Sequence, residues 1–139
     1  MRTIFTAEGF YAKEGLAALR VLVGLLMAYH GLEIFNATVM SEYAKWEVIK
    51  TLPFSSGIAY VGKGIELVSG ICLAIGAFTR IAALTMAINM LFICFWIGNG
   101  RFYYEDQHPF LFALIALVFF FSGPVKWAVD FRLFKHKSA

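Results

Sequence analysis

GIAYVGKGIELVSGICLAIGAF, residues 57–78, decides the fold. The run matches the roughly 20 residues that an α-helix needs to cross a bilayer. Inside it lie Lys63 and Glu66. A charge at the centre of a membrane helix costs about 2.5–3.5 kcal/mol on insertion scales, so such residues face protein and find partners. Three positions apart, the two share one helix face. Other hydrophobic stretches must then supply the polar interior that this face meets.

Composition agrees. Of 139 residues, 60% are hydrophobic and only 15% charged, and the mean hydropathy is +0.73. A soluble domain of this size could not hide so much apolar surface. The net charge of +3 does not point to nucleic acid, because the basic residues flank hydrophobic runs and form no patch of their own. Cys72 and Cys94 lie in apolar segments without a CxxC spacing. By helix rise they sit roughly 9 Å apart in depth, beyond disulfide reach, and read as small core residues.

Outward from the central run, four transmembrane helices are predicted at about residues 16–35, 57–78, 81–97 and 106–122. They form an all-α integral membrane bundle in a single membrane domain. Residues 1–15 lack the pattern of a signal peptide and read as an interfacial lead-in. Residues 36–56 form an outer loop whose Tyr43 and Trp46 suit the membrane interface, in a segment that lies amphipathically on the surface. Ser55 or Ser56 is placed to cap the second helix and Asp106 the fourth. Gly62, Gly70 and Ala74 put small residues on the second helix where a neighbour can approach closely, and Asn89 reads as an interhelical hydrogen-bonder. Residues 125–139 form a basic tail with a short amphipathic part.

Charge sets the orientation. With four spans, Arg2, Lys13, Arg20, Arg80, Lys126, Arg132, Lys135 and Lys137 fall on one side, against Lys45, Lys50 and Arg101 on the other. Basic residues in short connections mark the cytoplasmic side, so both termini are expected there. The outer leaflet then receives polar groups from all four helices: His30, Glu33, Lys63, Glu66, Asn99, Glu105 and His108. Arg20, Arg80, Trp46 and Trp96 read as membrane-edge anchors, the arginines reaching toward cytoplasmic phosphates.

Several of these residues also carry a resemblance. Arg20, Gly24 and the pair His30-Gly31 follow an R…G…HG pattern. ELVSGICLAIGAFTRIAA, residues 66–83, is close to an E-L-x-x-G…G-x-x-T-R-x-A-A run, and Gly123-Pro124 with Trp127 and Asp130 give a G-P…W…D ending. Over about residues 16–132 the chain resembles the DoxX-like family of small membrane proteins. The resemblance implies a four-helix bundle in the bacterial inner membrane, with some members tied to quinone-linked sulfur-compound oxidation and others to redox-stress complexes. Where many relatives carry a lysine shortly after the HG pair, this chain has Ile34 beside Glu33, and Lys63 on the next helix is the candidate replacement.

For Glu66 a functional reading, as a proton or substrate group, stands beside a bland one in which a buried carboxylate staples helices. The polar cluster as a whole can line a cavity for a quinone head group or another small polar ligand, or it can be interior packing. His30, Glu33 and His108 lack metal-ligand spacing, so no metal is assigned. No catalytic residue is assigned either, because no cofactor motif or nucleophile–base pair marks a stand-alone enzyme. Three functions follow: a membrane subunit of a redox-linked complex, a non-enzymatic scaffold that anchors or matures partner proteins, and a transporter or channel component. The expected partners are the lipid bilayer and other membrane proteins or further copies of the chain, with no nucleic acid.

Overall fold

The computed structural model describes residues 11–134, without the side chains of Ser55 and Ser56. The interfacial lead-in before Tyr11, the basic tail beyond Phe134 and the serine cap at 55–56 therefore lie outside the described residues. All regular structure among the described residues is helical: α1 (Ala12–Gly31), α2 (Ala37–Ala44), α3 (Glu47–Thr51), α4 (Ser55–Ile75), α5 (Thr79–Phe92), α6 (Gln107–Ser122) and α7 (Asp130–Leu133). A 3₁₀ turn, Leu32–Phe35, extends α1, and a π-helical turn, Ile93–Ile97, extends α5. Three segments are long and apolar enough to cross a membrane, namely Ala12–Phe35, Gly57–Ile75 and Thr79–Ile97. The fourth apolar helix, α6, is shorter at 16 residues.

These four helices pack α1 on α4, α4 on α5 and α5 on α6. Small residues set the closest approach. A Cβ on Gly24 would run into the backbone of Gly70 and Ala74, one on Gly70 into the backbone of Ala28, and one on Gly31 into Leu67. Hydrocarbon supplies no hydrophobic drive between helices, so such backbone proximity is the packing that holds them. Val23, Met27, Leu73, Met86, Met90 and Phe119 fill the core. Leu22, Val61, Val68 and Phe121 are more than half exposed, as side chains facing lipid should be.

Four expectations are corrected. The connection at 36–56 is not an open loop but two short helices: α2 and α3 dock on α4, and Met40 and Ile49 are each 2% exposed. Asp106 does not cap α6, since its carboxylate accepts instead from the backbone N–H groups of Asn99 (2.9 Å) and Arg101 (3.0 Å). The segment after α6 folds back rather than trailing away. The Asp130 N–H donates to the Gly76 carbonyl at 2.9 Å, and its carboxylate accepts from the N–H groups of Phe78 (2.6 Å) and Thr79 (2.8 Å). It thereby caps the start of α5, where the helix dipole favours an anion.

Arg20 is the fourth correction. No membrane-edge anchor, it is fully buried and donates to the carbonyls of Leu73 (2.7 Å), Trp127 (3.2 Å) and Lys126 (3.4 Å). Carbonyls at the end of α4 and in the returning segment take up the guanidinium inside the bundle. Lys126 also pairs with Glu14 at 2.6 Å, so the start of α1 and the segment after α6 meet at one end of the bundle. The polar cluster lies toward the other end.

Candidate functional site

Four helices and one connection build the site. The last turns of α1 present His30, and the 3₁₀ turn presents Glu33. The helix α4 brings Lys63 and Glu66, α5 brings Asn89, α6 brings His108 in its first turn, and α2 lays Tyr43 across the group. The Lys63 ammonium lies 2.9 Å from Glu33 Oε2 and 2.9 Å from Glu66 Oε2. Tyr43 donates its hydroxyl to Glu33 Oε2 at 2.6 Å and offers its ring to the Lys63 ammonium, 5.2 Å from the centroid. Burial, and then donation to the Glu33 carboxylate, push the Tyr43 phenol above its ordinary range, so it stays a neutral donor.

Burial grades across the cluster. The Glu66 side chain is 5% exposed, that of Lys63 14% and that of Glu33 34%. A line of polar groups therefore leads from partly exposed Glu33 through Lys63 to enclosed Glu66. Two carboxylates share one ammonium. The imidazoles of His30 and His108 stand edge to face across the opening, with centroids 6.4 Å apart.

Beside these groups opens a cavity of about 760 Å³. Its walls are chiefly apolar, from Met27, Ile49, Ile58, Ile88, Met90 and Phe112. Its polar lining comes from His30, Tyr43, Lys63, Glu66, Asn89 and His108. Ile93 and Ile97 of the π-helical turn also face it, a helix irregularity of a kind frequent at functional sites.

Not every residue of the expected cluster takes part. Asn99 and Glu105 bond to each other at 3.2 Å, and Arg101 reaches Glu105 at 3.4 Å, all on the exposed connection between α5 and α6. Among the described residues no contact joins them to Lys63 or Glu66. Gly70 and Ala74 lie in the α1–α4 contact, whereas Gly62 lies against Asn89, whose amide donates to the Gly62 carbonyl at 3.4 Å. Arg80 is exposed and lies over Gly123. Trp46 packs edge to face on Tyr43 and lines the cavity, while Trp96 stacks on Phe92 and is 64% exposed. Tyr43 is the site residue that reading by depth passed over as an interfacial aromatic. Its signal was the amphipathic spacing of Met40 and Tyr43 on one side of α2. Among the described residues, no three His, Cys, Asp or Glu side chains are arranged to hold a metal ion.

A model of the DoxX family matches residues 15–99, more than half of the chain. An uncharacterized protein of Haemophilus influenzae is 28% identical over 132 residues, covering 90% of this chain and 95% of that protein. No solved structure matches the chain.

Proposed function

The chain belongs to the DoxX family of membrane proteins, and from that premise we propose that it is a small multi-pass subunit of a redox-linked membrane complex, holding a quinone head group in its cavity. One observation carries the reading: an ammonium shared by two carboxylates, Lys63 between Glu33 and Glu66, opens onto a large and chiefly apolar cavity. At about 760 Å³ the cavity falls within the range of small-molecule sites, which are mostly apolar with a few convergent polar groups. A quinone fits that donor set. The Lys63 ammonium and the imidazoles of His30 and His108 can donate to a carbonyl oxygen, and Glu66 can accept from a hydroxyl. The quinone would supply the two-electron chemistry, with electrons exchanged through an oxidoreductase partner. The chain itself positions the ring, excludes water behind Trp46 and Phe112, and moves a proton between Glu66 and the more accessible Glu33. We place the cavity toward the outside of a bacterial inner membrane, with both termini in the cytoplasm, because Arg and Lys gather at the terminal end.

A second reading rests on the same ion pairs. Lys63 is already satisfied by two carboxylates, as it would be in an accessory protein whose cluster only staples α1 to α4. The experiment is purification in mild detergent from native membranes, followed by extraction of bound quinone, for the natural chain and for Glu66→Gln. A quinone in the first and at least about tenfold less in the folded second supports the head-group site, a loss equivalent to about 1.4 kcal/mol. Equal recovery, or no quinone in either, gives the scaffold reading the field.

A further inference from the structure

A second hollow, of about 580 Å³, runs along the lipid side of α4 and α5. Val61, Ile65 and Thr85 line both it and the cavity, so the two meet at those residues. From that junction one stripe continues down α4 through Val68 to Cys72, and another down α5 through Ala82 to Phe78. Steps of three and four residues keep each stripe on one helix face. At 1.5 Å per residue the α4 stripe is about 16 Å long. Its walls are apolar nearly throughout, and Val61, Val68 and Ile81 are each more than 60% exposed. The groove is thus open to hydrocarbon along its length, while every charged group of the site lies at its far end.

We propose that this groove holds the isoprenoid tail of a quinone that enters sideways from the bilayer between α4 and α5, head toward Lys63 and Glu66. The inference rests on the head-group reading above and adds to it the ligand's class, a long-chain amphiphile, and its path. A ring seated beside Glu66 must pass its tail out of the cavity, and the Val61–Ile65–Thr85 junction is an apolar outlet that remains in hydrocarbon. The tail leaves lipid for a surface equally apolar, so it gains little affinity there. Its effect is to fix the direction in which the ring enters.

Cys72 reports on the groove, because it is a partly buried free thiol there, while Cys94 is fully buried. The protein, with Trp96 and Trp127 replaced by Phe, is placed in phosphatidylcholine nanodiscs. Head binding is read from quenching of Trp46, and tail placement from the rate at which a membrane-soluble maleimide modifies Cys72. A menaquinone and tail-less menadione are compared. Both are expected to quench Trp46, and at about ten times its dissociation constant menaquinone alone should slow Cys72 modification about tenfold. Val68→Phe, which fills the groove between the junction and Cys72 without lining the cavity, should abolish that protection while menadione still quenches. If both compounds quench but Cys72 reacts at one rate throughout, the tail lies elsewhere and the inference falls while the head site stands. If neither quenches, the head-group reading fails and takes the inference with it.

Discussion

Lys63 is the residue on which the polar interior turns. Its ammonium is held by Glu33 and Glu66 together, each at 2.9 Å, inside a segment long enough to span a membrane. Removing it leaves two carboxylates facing each other with no cation. We therefore expect Lys63→Met to destabilise the folded protein by about 3–5 kcal/mol, the usual cost of breaking a buried ion pair from one side. Adding Glu33→Gln and Glu66→Gln to Lys63→Met should restore most of the stability, because the buried charge is then gone. Thermal unfolding in one detergent reads both. A triple variant no more stable than the single one would mean that the cluster does more than balance charge.

At the scale of elements, the contact between α1 and α4 depends on missing side chains. Gly24, Gly31 and Gly70 leave no room for a Cβ against the opposing backbone. Gly15, on the same α1, has open space around it. Gly70→Ala should force the helices apart and lower stability by at least about 1–3 kcal/mol, the range for overpacking a tight contact. Gly15→Ala should be neutral or stabilising by up to about 1 kcal/mol, since alanine is the better helix former. Equal effects at the two positions, in the same unfolding assay, would show that helix propensity rather than close approach decides. The C-terminal return is an element of another kind. Asp130 caps α5 and the carbonyls of Lys126 and Trp127 receive Arg20, so three motifs far apart in the chain join in one structural knot.

The whole molecule has two ends of different character. One is this knot, buried and closed by backbone hydrogen bonds; the other is the cavity, with its graded path from Glu33 to Glu66. The distribution of Arg and Lys sets an expectation for which end faces the cell interior, and that expectation can be tested directly. Ser41 is exposed on α2 at the cavity end. In a chain with Cys72 and Cys94 replaced by Ala, Ser41→Cys should react with a membrane-impermeant maleimide in intact cells or spheroplasts. Reaction only after lysis would invert the topology and place the cavity on the cytoplasmic side.

The number and approximate ends of the apolar helices were legible in the sequence, because hydrocarbon demands long uninterrupted runs and charges stand out within them. So was the helix face that Lys63 and Glu66 share, set by helix periodicity alone, while the choice of Lys63 as the partner of Glu66 was not. The family was legible from short motifs, though not the work those motifs do. That Glu33 and Tyr43 complete the cluster, while Asn99 and Glu105 stay outside it, depends on how α2 settles on α4 and how the α5–α6 connection turns. Depth along a helix gives one coordinate, and a contact needs three. Arg20 shows the difference most clearly. Its position near the terminal end was readable, but its burial depended on carbonyl groups contributed 53, 106 and 107 residues further along the chain. Helix period and hydrophobic length are local properties that the sequence carries by itself. The partners of a buried charge come from chain return, and only the tertiary structure decides those.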